Sequence, residues 1–195
     1  MSRVRAALAL VGALVLAAGC SAPVDSGPKT IRAASIPPGL RAQTSSTTTT
    51  TVPPGASEEV TVYFISVPEG RLQPVKRRVS SPVNPEKVLQ KLFAGPTDAE
   101  GLSGLRTAIN GDTTILHADV EKTILTVDTS KNFAFGQVPD QIAAYAQVVF
   151  TAVELPNVNG VQFAQNGRRI AVYAGDGSSQ FAPLGKASYA ELTPR

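Results

Sequence analysis

The folded part of the chain begins where the hydrophobic positions acquire a two-residue period. Across 60–67, β-branched and aromatic side chains alternate with other residues, which predicts a β-strand. The segment 72–79 shows the same period more weakly and contains Pro74, which lacks an amide hydrogen and is therefore typical of a sheet edge. We predict two consecutive strands, the second of them at an edge.

A short helix with clear end signals follows these strands. Asn84 is a good N-cap, Pro85 suits the first helical position, and Gly95 followed by Pro96 ends the helix. Between these ends, apolar residues at helical spacing form one stripe: Val88, Leu89, Leu92 and Phe93. A long glycine-containing loop is predicted from there to Asn110.

The next part of the chain predicts a hairpin from the segments 114–120 and 123–129. With Glu121 and Lys122 as the loop, alternate apolar residues of both strands share one buried face. The expected pairs are Ala118 with Leu125 and Leu116 with Val127, and His117 then lies opposite Thr126 on the same face as Asp119.

A second hairpin is centred on Asn166-Gly167, the strongest short turn signal in the chain. Its expected pairs are Phe163 with Ile170 and Val161 with Val172, which leaves Ala171 and Tyr173 on the other face.

Between the hairpins, residues 139–155 have the pattern of a long, largely apolar helix. Its polar residues form one narrow stripe: Asp140, Gln147, Thr151 and Glu154. Opposite them lie Ile142, Tyr145, Val149 and Val153. Such a helix must pack against a sheet, so we predict one compact α+β domain over 60–195. Its mixed or antiparallel sheet would contain two hairpins packed by two helices.

The amino terminus has the organisation of a secretory signal. Arg3 and Arg5 precede an apolar run, 6–18, that is too short to span a bilayer. Small residues then lead to Cys20, the only cysteine in the chain, in a stretch that resembles a bacterial lipobox with Ala17 in the usual leucine position. The resemblance implies a signal peptide over 1–19 and a Cys20 that carries a diacylglyceryl group and an acylated amino terminus. An ordinary secreted protein and an uncleaved anchor are the alternatives.

The segment 20–59 differs from everything after it. From residue 21 it contains six prolines and a run of five threonines, and no aromatic side chain. A segment with so few large apolar side chains cannot offset the entropy lost on ordering. We predict a disordered stalk that holds the folded domain away from the membrane.

Charge and candidate chemistry exclude several function classes. The span 60–195 carries thirteen basic and twelve acidic residues, so the net charge of +3 and the high pI of the whole chain do not indicate nucleic-acid binding. One cysteine allows no internal disulfide, and His117 is the only histidine. The sequence contains no recognisable nucleophile–base set, and its carboxylates are scattered. We therefore expect no enzyme activity, no metal and no cofactor.

Several motifs together resemble one domain family. They are "LQPVKRRV", "LFAGPT", "GLRTAI", "LTVDTSKNF" and "AQVVFTAVELPNVNGVQFAQNGRRIAVY". They are similar to successive motifs of the GerMN domain of sporulation and spore germination. The matching positions include Gly95, Pro96, Gln147, Thr151, Pro156, Asn166 and Gly167. Asn110 and the turn at Glu121-Lys122 depart from the pattern.

The resemblance implies a non-catalytic α/β module, similar to ring-building modules, that mediates protein association. It also implies that Gln147 and Thr151 hydrogen-bond a loop onto the long helix, with partner contact as the alternative. We thus expect a lipid-anchored protein on the extracytoplasmic face of the cell membrane that binds an envelope protein or its own kind. The alternative is a small-ligand-binding lipoprotein associated with a transporter.

A basic strand edge is the expected contact surface. Lys76, Arg77 and Arg78 are adjacent on the predicted edge strand, where charge deters indiscriminate pairing but can select an acidic partner. Because both hairpins and the long helix use their apolar faces for the core, little lining remains for an apolar ligand cavity, which usually measures about 300 Å³ or more. We therefore expect binding through a surface and not through a deep pocket.

Overall fold

The computed structural model describes residues 55–195. The predicted signal peptide, Cys20 and residues 20–54 of the predicted stalk lie outside the described residues. The first strand begins at Ser57, three residues before the predicted start of the domain. Ser57, Glu58 and Glu59 belong to it because they pair with the end of the second strand.

The described residues form nine strands and three α-helices, followed by a 3-10 helix. The strands are β1 (Ser57–Ser66), β2 (Arg71–Ser80), β3 (Leu105–Arg106), β4 (Ile115–Glu121), β5 (Ile124–Thr129), β6 (Gly160–Gln165), β7 (Arg168–Arg169), β8 (Val172–Tyr173) and β9 (Ser179–Gln180). The helices are α1 (Pro85–Phe93), α2 (Asp98–Leu102) and α3 (Val138–Ala152), and the 3-10 helix is Lys186–Leu192. The α+β prediction is confirmed.

The first sheet has the order β2-β1-β3, so β2 is an edge strand. Tyr63 of β1 lies opposite Pro74 of β2. The backbone N–H and C=O of Tyr63 both bond to α3, on the side away from β2. The missing amide hydrogen of Pro74 therefore costs this antiparallel ladder no hydrogen bond.

The second sheet has the order β4-β5-β6-β7 and is mixed, because β5 and β6 run parallel. Parallel neighbours need a crossover connection, and the segment between these strands contains α3. The central position of β5 buries Leu125 and Val127 completely.

The register predicted for the first hairpin is wrong by two residues. The turn is Lys122-Thr123, with Ala118 opposite Val127 and Val120 opposite Leu125. Lys122 takes a left-handed conformation (φ 58°), which a sequence without Gly or Asn at that position does not signal. Leu116 lies in a register shift and is exposed, and His117 faces Asp128, not Thr126.

The second hairpin keeps its predicted turn but is shorter than expected. The Ile170 amide donates to the Phe163 carbonyl as the Asn166-Gly167 turn requires. The predicted pairing of Val161 with Val172 is absent from the described structure. Val161 bonds instead to Leu184, and Val172 pairs with Gln180. The carboxyl-terminal segment thus takes the place that a longer hairpin would occupy.

Helix α1 has its predicted ends. The Asn84 side chain accepts from the Lys87 amide, Pro85 opens the helix, and Gly95 beyond it has φ +76°. The predicted loop to Asn110 is wrong, because it contains α2 and β3. A capping box starts α2, in which Thr97 and Glu100 each accept from the other's backbone amide.

Helix α3 is the centre of the core and contacts β1, α1 and β6. From Ala143 to Ala152 all its residues are buried. An aromatic cluster joins its Tyr145 to Phe133 and Phe163 at ring distances of 5.0–5.8 Å. Each such contact adds about 0.5–1.5 kcal/mol to the burial of the rings.

Candidate functional site

Two polar side chains of α3 lie in the interior, and both bond to one residue of β1. Gln147 and Thr151 are completely buried. The Gln147 amide donates to the Tyr63 carbonyl at 2.9 Å, and the Thr151 hydroxyl accepts from the Tyr63 amide at 3.1 Å. The side-chain oxygen of Gln147 accepts from the Ala108 amide at 2.8 Å. Gln147 and Thr151 thus fasten β1, and Gln147 also fastens the loop after β3, to the central helix.

A second polar group connects β1 to the carboxyl-terminal segment. The Tyr63 hydroxyl donates to Glu154 at 2.8 Å, and Lys186 lies 2.6 Å from the same carboxylate oxygen. The hydrogen bond from Lys186 holds the pKa of Glu154 below its usual value. Burial, and then the hydrogen bond to Glu154, raise the pKa of Tyr63. Tyr63, Glu154 and Lys186 thus bind one another and stabilise the packing of the carboxyl-terminal segment against β1.

The basic cluster Lys76-Arg77-Arg78 is divided by the strand alternation of β2. Lys76 and Arg78 are exposed, whereas Arg77 points to the opposite face and is partly buried. Arg77 makes a bidentate ion pair with Glu100 (2.7 and 2.6 Å) and lies 5.4 Å from the centre of the Phe64 ring. The three residues therefore do not form the single basic surface that was predicted from the sequence.

The Arg77–Glu100 pair joins β2 to the start of α2. Its hydrogen bonds lower the pKa of Glu100 to about 2. Sequence reasoning missed this pair, although the spacing Thr97-x-x-Glu100 is a recognisable capping-box signature. The long-range partner, Arg77, has no local signal.

The other motif residues lie at turns. Asn166 and Gly167 both have positive φ, and the Gly167 amide donates to buried Asp128 at 2.9 Å. Pro96 follows the positive-φ Gly95, and Pro156 is exposed beyond the end of α3. Their positions suit the backbone geometry of turns.

A groove of about 710 Å³ lies beside the amino-terminal half of β1. Its walls include Glu59 and Thr61 of β1, Val88 of α1, and Leu155 and Pro156 after α3. Its volume exceeds the value of about 300 Å³ typical of ligand cavities, which the sequence did not predict, although polar residues such as Glu59 and Thr61 share its lining with apolar ones. The groove arises because β3 pairs with β1 only at Ile65 and Ser66 and α3 bonds to that edge only at Tyr63, which leaves the edge before Tyr63 without a partner among the described residues.

The single histidine and the carboxylates are the remaining candidates for chemistry among residues 55–195. His117 is exposed on β4 and pairs across the sheet with Asp128. This part of the chain holds no group of three His, Cys, Asp or Glu side chains placed to bind a metal. None of its helices is long and apolar enough to cross a bilayer.

A family model, Germane (Sporulation and spore germination), matches residues 61–171. No curated protein sequence matches the chain. Among solved structures, the tandem GerMN domains of the sporulation protein GerM from Bacillus subtilis are similar, with 20% identity and a TM-score of 0.54 over 72% of this chain. The chain spans about half (50%) of that structure's length.

Two further solved structures resemble the chain more distantly. One is the first GerMN domain of the same Bacillus subtilis protein, with 18% identity and a TM-score of 0.45, covering 66% of this chain and 95% of that one. The other is a Clostridium perfringens protein provisionally called a lipoprotein, with 17% identity and a TM-score of 0.46, covering 74% of this chain and 99% of that one.

Proposed function

Because the chain belongs to the sporulation and spore germination (GerMN) family, we propose that it is a lipid-anchored envelope protein whose GerMN domain binds protein partners without catalysis. Cys20 would carry the lipid, and residues 21–56 would separate the domain from the membrane. One acyl chain holds a protein only weakly, whereas two or three hold it firmly. The domain would act on the extracytoplasmic face.

The observation that carries the interaction role is the outer edge of β2. Tyr63 and Pro74 form a pair without ladder hydrogen bonds. Such pairs recur at every second residue of an antiparallel ladder, so the pairs Thr61–Lys76 and Glu59–Arg78 also lack ladder hydrogen bonds. The N–H and C=O groups of Lys76 and Arg78 therefore point outward, beside their exposed side chains, and the Lys76 carbonyl also accepts from the Arg77 guanidinium at 3.2 Å. Such an edge can add a strand from a partner, and its charge selects an acidic one.

Replacement of Cys20 by Ser tests the anchor. The variant should leave the membrane fraction or accumulate as the unprocessed precursor, because the thiol that accepts the lipid is gone. Mass spectrometry of the amino-terminal peptide should find acyl groups only in the wild type. Equal membrane fractionation of both proteins, with no lipid on the wild-type peptide, would contradict the anchor.

Charge reversal tests the interaction surface. Lys76→Glu combined with Arg78→Glu leaves the Arg77–Glu100 pair intact. Lys131→Glu combined with Arg168→Glu changes net charge equally at other exposed positions and serves as the control. Cross-linking in the native envelope should lose its products in the first variant and retain them in the control. If the folded Lys76→Glu, Arg78→Glu variant keeps the same cross-linked products as the wild type, the β2 edge is not the interface.

The groove is one observation that favours the alternative function, that of a small-ligand-binding lipoprotein. Ligand pockets commonly measure about 300–1,000 Å³, and this groove of about 710 Å³ falls within that range. Native mass spectrometry of protein purified from its own envelope would decide between the two functions. A single co-purified small molecule in place of a protein partner would favour the ligand-binding function.

A further inference from the structure

Along the edge of β1 that faces away from β2, the backbone groups have hydrogen-bond partners from Val67 to Tyr63 but, in the described part of the chain, not at Thr61 and Glu59. Backbone N–H and C=O groups on one side of a strand recur every second residue. On this side, Val67 and Ile65 are paired through Gly104 and β3, and Tyr63 bonds to Gln147 and Thr151. The next two positions on the same side are Thr61 and Glu59.

The N–H and C=O groups of Thr61 and Glu59 point into the groove. Within residues 55–195, no strand or side chain forms a hydrogen bond with these two donors and two acceptors. Helix α3 closes the edge at Tyr63, so a pairing strand could not continue past Thr61. The groove therefore offers a short strand-pairing site with one defined end.

The remaining walls fit an apolar side-chain face. Val88 and Val158 are buried at the base of the groove, and Val83 and Leu155 are partly exposed. Side chains on one face of an extended peptide could contact these residues while its backbone pairs with β1. The groove thus combines backbone pairing with alternate apolar contacts.

The charges along the groove favour a basic occupant. Three acidic residues line it, Glu58, Glu59 and Glu154, and one basic residue, Lys122. Lys186 already binds Glu154, whereas Glu58 accepts from the Ser81 hydroxyl and Glu59 makes a long, exposed ion pair with Lys76 (3.5 Å). Exposed ion pairs contribute little, so Glu58 and Glu59 can still attract a cationic side chain.

We propose that this groove binds an extended, basic peptide segment of a partner protein, which adds a short strand to β1 at Glu59 and Thr61. The proposal rests on the proposed protein-binding function and gives it a second surface, separate from the β2 edge. Backbone pairing supplies affinity, the apolar base fixes register, and the acidic rim selects Lys or Arg on the outward face of the peptide.

The test uses the full chain in detergent and a fluorescein-labelled peptide of alternating Lys and Val. Fluorescence anisotropy should show binding of this peptide, and no binding of its counterpart with Glu in place of Lys. Methylation of its alternate backbone nitrogens should weaken binding at least about tenfold, because it removes hydrogen bonds to the groove. Equal binding of the methylated peptide would overturn the proposal.

Two variants at one position test the same hydrogen bonds from the protein side. Thr61→Pro removes the groove-facing N–H without touching the ladder to β2, as Pro74 does opposite Tyr63. Binding should weaken about tenfold or more, whereas Thr61→Val, which keeps the N–H, should bind within about twofold of wild type. Wild-type binding by a folded Thr61→Pro protein would overturn the proposal. If Thr61→Pro does not fold, the methylated peptide still decides.

Three other outcomes identify a different occupant or show which of the two proposals fails. If the wild type sediments as a dimer that Thr61→Pro dissociates, the occupant is a second copy and the proposal is wrong. Peptide binding should not weaken in Lys76→Glu combined with Arg78→Glu, because loss of the Lys76–Glu59 ion pair leaves the rim of the groove more acidic. If the wild type does not bind the peptide but keeps its envelope cross-links, the groove proposal is refuted and the proposed envelope function stands. Peptide binding without any cross-linked partner would support the groove and refute the proposed envelope function.

Discussion

Replacement of Gln147 by Leu should strongly destabilise the domain, although the site looks apolar enough to accept leucine. The side chain is fully buried among core residues of α3. Leucine would leave the Tyr63 carbonyl and the Ala108 amide without the partners they have at 2.9 and 2.8 Å. The Thr107 hydroxyl, at 3.4 Å, loses a weaker contact.

The magnitude follows from the burial of the groups left unpaired. A buried donor or acceptor without a partner costs about 1–3 kcal/mol. Tyr63 is buried, so leaving its carbonyl unpaired should cost a free energy near the upper end of that range. Ala108 is half-buried, so its amide can bond to water and leaving it unpaired should cost less. We expect Gln147→Leu to lower the free energy of unfolding by about 2–4 kcal/mol. Thr151→Val, which leaves only the Tyr63 amide unpaired, should cost about 1–2 kcal/mol.

Urea unfolding followed by far-ultraviolet circular dichroism measures both losses, since the chain contains no tryptophan. The double variant should lose less than the sum of the single variants, because both side chains hold the same residue of β1. Gln141→Leu is the matched control on the same helix, where the side chain makes one exposed bond to Gly136. A Gln147→Leu loss no larger than that of the control would refute the reasoning.

Three further predictions concern other contacts. Arg77 lowers the pKa of Glu100 to about 2, so the charged carboxylate stabilises the fold most above pH 4.5 and loses this effect as pH falls towards 2. The loss of unfolding free energy caused by Glu100→Gln should therefore be largest above pH 4.5 and disappear near pH 2, as measured by urea unfolding at several pH values. Asn84→Ala should cost about 1 kcal/mol in the same assay, because α1 loses its N-cap. Gly175→Ala should cost about 1–3 kcal/mol by thermal unfolding, because a Cβ there would lie 2.7 Å from the Ser188 carbonyl.

Each of these has a control within the chain. Asn84→Ser keeps a capping oxygen and should cost much less than Asn84→Ala. Gly111→Ala adds a Cβ where no atom lies within 4 Å, so a loss equal to that of Gly175→Ala would remove the steric explanation. A Glu100→Gln difference that stays constant down to pH 2 would show that the carboxylate charge is not what stabilises the pair.

The sequence by itself determined the features whose causes are local. Asn84, Pro85 and Gly95 set the ends of α1 because capping, a fixed φ and a positive φ depend on neighbouring residues alone. Asn166-Gly167 determined a turn for the same reason. The alternating and helical hydrophobic periods indicated β1, β2 and α3, and hence an α+β domain, because one face of each element must be buried.

Only the tertiary structure decided which elements meet. The register of the first hairpin depended on Lys122 taking a left-handed conformation, and the extent of the second depended on Leu184 pairing with Val161. Gln147 bonds to Tyr63 and Ala108, 84 and 39 residues away, and Arg77 bonds to Glu100, 23 residues away, so no local pattern could identify these partners. The groove exists because β3 covers only one end of β1, and such a void has no sequence signal, since it is formed by what several distant elements leave uncovered.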